Sequence, residues 1–221
     1  MAKVTFDNIK QNDEIRSYLE MGDQSLGVMG FTEHSFQHAF RTANIAARIL
    51  ETLEFSKREV ELARIAGYMH DIGNIINRDD HAQSGGIMAF QILKNLEMDS
   101  REIASVISAI GNHDEHTSSP VNAIAAAIIL ADKSDVRRSR VRNREFATFD
   151  IHDRVNYAVK DSRININTEE KTAVLKLSID TSISSVMDYF EIFLSRMLLC
   201  RRAAEFLDLQ FKLIINDMGL L

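Results

Sequence analysis

Apolar side chains in the first 148 residues recur at intervals of three and four, which is the spacing of one face of a helix. This pattern runs from Thr32 onwards. Ser56 and Glu59 form a capping box that predicts the start of a further helix, and Gly73 predicts its end. Other helix starts are predicted at Asp79 and Asp80, at Asp99 with Glu102, and at Pro120, which suits the first turn of a helix over 121–134.

The segment 22–30 precedes this helical succession and carries three glycines, Gly22, Gly27 and Gly30. Glycine readily adopts backbone conformations that end regular structure. We therefore expect a loop over 22–30.

The apolar period changes to two near residue 150, which is typical of half-buried strands. Strands are predicted around Ile164 and Ile166, from Leu175 to Ile179, and from Phe211 to Ile215, with Val155, Tyr157 and Val159 as a fourth strand. Apolar residues at helical spacing predict a long helix over about 182–207 between two of the strands. The predicted fold is mainly α, with a helical domain over 1–148 and a small α+β unit over 149–221.

Composition narrows the functional classes. The chain of 221 residues is 45% hydrophobic and 26% charged, as expected of a globular protein with a sizeable core. Its net charge of −6 argues against a general nucleic-acid-binding protein. The single cysteine, Cys200, excludes a multi-cysteine metal site and is expected to be buried and inert. No apolar leader or run of about 18 apolar residues is visible, so we expect a cytoplasmic protein without a membrane partner.

Histidine followed by aspartate occurs three times, and the pair His70-Asp71 has the most informative context. It ends an apolar helix, where both side chains can converge on one ion beside the helix end. A neutral imidazole and a carboxylate suit Mn²⁺, Fe²⁺ or Zn²⁺. The alternative is a histidine that stabilises the negative end of the helix dipole, followed by a solvated aspartate. His152-Asp153 lies in the period-two region and is expected to be structural.

Asp132 follows a segment, 121–131, that is apolar almost all round and therefore predicts a buried helix. A carboxylate near the end of such a helix is costly unless it is paired or bound to a metal. The alternative is that the helix reaches the surface at Asp132. Three histidines, His38, His81 and His113, lie on or near the ends of other predicted helices, and helical bundles build metal sites from such inward-pointing residues.

The order of these residues resembles a known family. The segments His38-Ala-Phe-Arg41, His70-Asp71-Ile-Gly73 and Asp132-Lys-Ser-Asp135 resemble the HD superfamily of metal-dependent phosphohydrolases over about residues 30–140. The resemblance implies an HD-type helical bundle. It also implies a metal site made of His38, His70, Asp71 and Asp132. In binuclear members two further histidines hold a second metal, and His81 and His113 match them, with His116 as a neighbour.

The resemblance implies two divalent metal ions bridged by Asp71, with Mn²⁺ or Fe²⁺ favoured and Mg²⁺, Ni²⁺, Co²⁺ or Zn²⁺ as alternatives. The implied activity is cleavage of a phosphate ester, in a nucleotide or another small phosphorylated substrate, by a metal-activated water. Two branches of the family match less well. The chain lacks the Gly-Tyr-Pro segment of the HD-GYP branch, and Asn74-Ile75 replaces the Glu-Asp pair of the stringent-response hydrolases.

Six basic residues lie between 133 and 144, and most of them are expected on a solvated face. Lys133 and Arg137 are one helical turn apart beside Asp132, so both are candidates to bind a substrate phosphate. Asp71 and Lys133 are the predicted catalytic residues.

Two other function classes stay open at this stage. Related bundles with a comparable histidine and aspartate set hold two irons and activate oxygen, so a di-iron oxygenase is an alternative. A non-catalytic metal-binding sensor or scaffold is a second alternative. Metal content and a requirement for O₂ would separate these classes from a phosphohydrolase.

The predicted helix over 182–207 carries an apolar stripe that is too long for a sheet of three or four strands to cover, namely Ile183, Met187, Phe190, Leu194 and Met197. The remainder must pack on the helical domain or on a second subunit. We expect a homodimer to which the unit over 149–221 contributes.

Overall fold

The computed structural model describes residues 3–115 and 118–220, so His116 lies outside the described residues. The helices are α1 (Phe6–Gln11), α2 (Asp13–Val28), α3 (Phe36–Thr52), α4 (Lys57–Met69), α5 (His81–Asn95), α6 (Ser100–Gly111), α7 (Ala123–Lys133), α8 (Ile151–Ala158) and α9 (Val186–Phe206). Short 3-10 turns cover Ile72–Ile75, Arg138–Arg140 and Phe146–Thr148. The strands are β1 (Val159–Asn167), β2 (Thr172–Ile179), β3 (Gln210–Ile215) and β4 (Met218–Gly219). The predicted class, a helical HD-type bundle with a small C-terminal α+β unit, is confirmed.

Side-chain caps set several of the helix starts. The capping box of Ser56 and Glu59 is present at the start of α4. Asp99 accepts hydrogen bonds from the first-turn amides of α6. Asn122 caps α7 by accepting from the amide of Ala125, so this helix begins at Ala123 and Pro120 lies before it, outside the first turn.

The prediction of a loop over 22–30 is wrong for residues 22–28, because α2 continues to Val28. Gly22 lies where α2 touches the 3-10 turn over Ile72–Ile75, and a Cβ atom there would approach the backbone nitrogen of Ile75 to 3.1 Å. Of the described glycines, Gly30 alone has a positive φ, at 84°. Glycine in α2 therefore serves close packing, and the chain leaves the helix only near Gly30.

The prediction of a strand through Val155 and Tyr157 is also wrong. Asp150 caps α8 by accepting a hydrogen bond from the amide of Asp153, and this helix runs to Ala158. Val155 and Val159 are four residues apart, a spacing that suits a helix as well as a strand. The fourth strand is instead β4, which pairs with β3.

The sheet has the order β1-β2-β3-β4. The first two strands and the last two are antiparallel pairs, whereas β2 and β3 are parallel and α9 connects them. The predicted strand residues Ile164, Leu175 and Leu213 are buried on one face of this sheet. Cys200, on α9, is also buried, and burial raises the pKa of its thiol to about 12, which agrees with an inert cysteine.

The centre of the molecule is α7, whose residues 124–131 are all buried, as the all-round apolar pattern predicted. Helix α7 packs against α3, α4 and α9. Gly67 lets α4 approach α3 closely, because a Cβ atom there would lie 2.9 Å from the Cα atom of Ala43. This contact brings the end of α4 next to the beginning of α3. None of the described helices is both long and apolar enough to cross a membrane.

We predict that Gly73→Ala destabilises the fold. A Cβ atom at Gly73 would collide with the backbone oxygen of His81 and would lie 2.6 Å from the backbone nitrogen of Gly85, so α5 would have to shift. Overpacking of this kind should lower the free energy of unfolding by more than about 2 kcal/mol, measured by denaturant unfolding.

Gly111→Ala is the matched control, because nothing lies within 4 Å of a Cβ atom at that position. Equal stability of the two variants would contradict the close approach of α5 to the 3-10 turn.

Candidate metal centre

The six predicted metal ligands come from five different helices or their ends and meet in one buried cluster. His38 lies in the first turn of α3, His70 directly follows α4 and is followed by Asp71, and His81 begins α5. His113 follows α6 by two residues, and Asp132 is the next-to-last residue of α7. The four histidines and Asp71 are buried, and the side chain of Asp132 is 12% exposed.

The imidazoles form two close pairs, each joined through Nε2 atoms. The Nε2 atoms of His38 and His70 are 3.3 Å apart, and those of His81 and His113 are 3.1 Å apart. Asp132 belongs to the first pair, with its Oδ1 atom 3.2 Å from Nε2 of His38 and 3.7 Å from Nε2 of His70.

Asp71 lies between the two pairs and turns one oxygen toward each. Its Oδ2 atom is 3.5 Å from Nε2 of His38 and 3.3 Å from Nε2 of His70. Its Oδ1 atom is 3.4 Å from Nε2 of His81 and 3.9 Å from Nε2 of His113. This is the arrangement of a carboxylate that can serve two neighbouring cations at once.

The other ring nitrogen of each histidine is engaged by a hydrogen bond. His70, His81 and His113 direct Nδ1 to the backbone oxygens of Gly67, Arg78 and Ile110 at 2.8, 2.9 and 2.6 Å. His38 directs Nδ1 to Oδ2 of Asp135 at 2.8 Å. A carbonyl can only accept a hydrogen bond, so these Nδ1 atoms donate, and a neutral ring then has its lone pair on Nε2, where a metal binds.

The cluster fits a cation on two grounds. His81 and His113 are both neutral at pH 7, and two neutral imidazoles whose Nε2 lone pairs face each other at about 3 Å cannot hydrogen bond to each other without a shared cation or proton. In addition, the buried Oδ2 atom of Asp71 has no hydrogen-bond partner among the described residues. Three groups of residues have ligand atoms within 4.8 Å of one another: His38, His70 and Asp71; His70, His113 and Asp132; and Asp71, His81 and His113.

The carboxylates strongly affect the protonation of the cluster. Burial disfavours a charged His70, but attraction from Asp71 and Asp132 outweighs burial and raises its pKa to about 10. Burial alone would raise the pKa of Asp71 and of Asp132, but their cationic neighbours hold both pKa values well below the usual range. Burial lowers the pKa of His113 and of His81, so both rings are neutral at pH 7.

Asp135 is a site residue that the sequence analysis did not assign. It is buried and accepts the Nδ1 proton of His38, while Nε of Arg41 and Nε of Arg137 each lie 2.9 Å from its Oδ1 atom. Carboxylates that orient a metal-binding histidine in this way fix its tautomer and ring position. Asp135 lies three residues after Asp132 in the sequence, and this spacing was the signal by which the sequence could have identified it.

Lys133 is buried beside Asp132, within a chain of ion pairs that reaches α9. Its Nζ atom is 2.8 Å from Oδ2 of Asp132 and 2.6 Å from Oε2 of Glu115. Arg196, on α9, donates from Nε to Oε1 of Glu115 at 3.0 Å. Glu115 and Arg196 were not predicted, because their partners are remote in the sequence.

Arg137 is placed differently from Lys133. Its guanidinium contacts Asp135, Ser139 and Glu33, and it is not among the described residues that line the cavity over the cluster. Arg140 lines that cavity instead, with Nε donating to the backbone oxygen of Glu33. A phosphate contact by Arg137 therefore stays a prediction.

The cluster lies at the buried end of a cavity of about 580 Å³. The wall of this cavity includes Asp71, His81, Asp132 and Lys133 from the helical domain and residues of α8 and α9. His152 and Asp153, expected to be structural, lie in this wall. His34 lines it as well, with its ring 5.6 Å from the ring of His38 and Nδ1 on the backbone oxygen of Thr32.

Comparison with known proteins agrees with this geometry. The family model described as "HD domain" matches residues 35–191, which include all six predicted ligands. The chain is also 26% identical over 166 residues to "Uncharacterized protein MJ1020" of Methanocaldococcus jannaschii. That match covers 64% of this chain and 63% of the relative, so the chain spans less than two thirds of the relative's length.

The HD family model covers well over half of the chain and ends within α9, so it includes part of the C-terminal unit. The superfamily consists of metal-dependent phosphohydrolase-type proteins, and the histidine and aspartate cluster is suited to divalent metal. The chain therefore belongs to the HD superfamily.

Proposed function

We propose that this protein is a binuclear metal-dependent phosphohydrolase that cleaves the phosphate ester of a nucleotide or another small phosphorylated substrate. The observation that carries the proposal is the pair of Nε2–Nε2 contacts, 3.3 and 3.1 Å long, on either side of the carboxylate of Asp71. The facing Nε2 lone pairs of the neutral His81 and His113 call for a cation, and at the other pair a cation would replace the proton that His70 holds beside Asp71 and Asp132.

In this proposal His38, His70, Asp71 and Asp132 would hold one ion, and Asp71, His81 and His113 would hold the other. Imidazole and carboxylate donors favour Mn²⁺ or Fe²⁺, with Mg²⁺, Ni²⁺, Co²⁺ or Zn²⁺ as alternatives. When bound, such ions lower the pKa of water and stabilise negative charge on phosphoryl oxygens.

The protein's own groups complete the proposed chemistry. Asp135 holds His38 in the tautomer that presents Nε2. An ammonium group has three donors, and Lys133 uses two of them on Asp132 and Glu115, which leaves one for a phosphate oxygen. We propose Asp71 and Lys133 as catalytic residues, and Lys133 and Arg137 as residues that bind the substrate.

We predict that Asp71→Ala abolishes activity and leaves the fold intact, because this carboxylate serves the proposed cations and contacts the histidines of the cluster and Arg78 rather than the apolar core. In a phosphatase screen of nucleotides and sugar phosphates with Mn²⁺, the loss should be at least about 100-fold.

Asp161→Ala, on the partly exposed surface of β1, is the matched control and should retain activity. Wild-type turnover by the Asp71 variant would contradict a bridging role. Turnover that requires O₂ and releases no phosphate would favour the di-iron oxygenase, and metal binding without any turnover would favour a sensor.

We predict that metal binding releases about one proton per chain at pH 7, because in the metal-free chain His70, with a pKa of about 10, holds the proton that a cation replaces. Mn²⁺ affinity should therefore fall about tenfold for each unit of pH lost between about pH 9 and pH 7. Calorimetry in two buffers of different ionisation enthalpy measures the released protons. Binding without proton release would show that His70 is neutral in the metal-free chain.

We propose that the unit over 149–221 also mediates a homodimer. Helix α9 exposes apolar residues on one face at intervals of seven and four: Met187 is 74% exposed, Leu194 50% and Leu198 40%. Apolar stripes of this length usually mark an interface, and twofold dimers are the commonest oligomers.

We predict a mass near twice 25.1 kDa by light scattering at micromolar concentration, and a monomer for Leu194→Glu. Met218→Glu, on β4 and 61% exposed, is the control and should stay dimeric. A wild-type mass near 25 kDa would rule out the dimer.

A further inference from the structure

The cavity over the cluster has two chemically different ends. The buried end contains Asp71, whose carboxylate lies between the two imidazole pairs. The exposed end is bordered by the segment 29–32, which is part of the connection between α2 and α3, and by the starts of α5 and α8. A substrate with its phosphate at the cluster therefore places its organic part against the C-terminal unit.

The cationic side chains that line the cavity form ion pairs with carboxylates or donate hydrogen bonds to amide oxygens of the protein. Lys133 is paired with Glu115 and Asp132, and Arg196 is paired with Glu115. Arg140 donates to the backbone oxygens of Glu33 and Asp135, and NH1 of Arg78 donates to Asn74 at 3.2 Å and lies 3.8 Å from Asp71. These cations surround the buried end, and they compensate the carboxylates there.

The exposed end carries carboxylates without such compensation. Asp79 and Asp80 lie on the α5 side, and Asp150 and Asp153 lie on the α8 side. Within residues 3–115 and 118–220, no lysine or arginine forms an ion pair with these four. Asp150 uses Oδ1 to cap α8, and Oδ2 of Asp153 accepts from Asn143 at 3.3 Å, so each keeps one oxygen for another donor.

Apolar surface accompanies these carboxylates. Met29 and Phe31 line the cavity and are 52% and 41% exposed. The exposed end therefore places apolar surface, which includes the ring of Phe31, next to negatively charged carboxylates that accept hydrogen bonds. A sugar or nucleoside ring with hydroxyl or amino groups matches both features.

We infer that the substrate is a phosphomonoester without a phosphate at the opposite end of its organic part, which carries hydroxyl or amino donors that Asp150 and Asp153 bind. This inference rests on the proposed function, because it takes the phosphate end from the metal cluster. A second phosphate at the far end would meet several carboxylates and, among the described residues, no lysine or arginine paired with them, so bisphosphates that carry a phosphate at the opposite end of the organic part are poor ligands.

Equilibrium binding tests this inference separately from hydrolysis. The probes are non-hydrolysable phosphonate analogues of glucosamine 6-phosphate, glucose 6-phosphate and glucose 1,6-bisphosphate, titrated by calorimetry into the Mn²⁺-loaded chain. The amino and hydroxyl analogues should bind at least about tenfold more tightly than the bisphosphate analogue, the effect of about one lost charge-assisted hydrogen bond.

The double variant Asp150→Asn with Asp153→Asn should reduce this preference about tenfold, since amides remove the repulsion and still cap α8. Asp208→Asn, an exposed residue after α9 that tolerates its positive φ of 57°, is the control and should keep the wild-type preference. Tighter or equal binding of the bisphosphate by the wild type, an unchanged preference in the double variant, or no binding of any probe would overturn the inference.

The same titrations distinguish a failure of the proposed hydrolytic function from a failure of the inferred selectivity. If the analogues bind with the expected preference but the corresponding esters release no phosphate, the hydrolytic function fails and the selectivity of the cavity stands. If esters are hydrolysed without preference for a single phosphate, the hydrolytic function stands and this inference fails.

Discussion

The structure depends on one buried carboxylate placed between two pairs of imidazoles. Asp71 faces His38 and His70 with one oxygen and His81 and His113 with the other, and none of these Nε2 atoms can satisfy another without a positive charge between them. The fold brings the five groups together through close backbone contacts. Gly67 allows α4 to meet α3, and Gly73 allows the turn after Asp71 to meet α5.

A second layer of charges holds this cluster in place and connects it to the C-terminal unit. Asp135 orients His38 and is itself held by Arg41, which also donates to the backbone oxygen of Ser162 on β1. The ion pairs from Asp132 through Lys133 and Glu115 end at Arg196 on α9. The α+β unit is therefore part of the site's support and of its wall.

The helical half was predictable from the sequence, because caps and apolar spacing are local signals, and the His70-Asp71 pair was the local signal for the residues that the structure brings together. The supporting residues were not predictable, since Asp135 meets His38 and Glu115 meets Arg196 across 97 and 81 positions. Ambiguous local patterns explain the two errors in secondary structure. Val155 and Val159 fit the apolar spacing of a helix as well as that of a strand, and the glycines of α2 serve close packing where a loop was predicted. Spacing alone also could not show that Arg137 turns to Asp135 and away from the cavity.

We propose that the two imidazole pairs enclose two cations that share Asp71. Metal analysis of the Mn²⁺-loaded chain, combined with electron paramagnetic resonance, tests it most directly, because two ions bridged by one carboxylate are magnetically coupled. We expect two Mn²⁺ ions per chain and the spectrum of a coupled pair. Fewer than one ion per chain after loading, or two ions with the spectrum of isolated Mn²⁺, would contradict it.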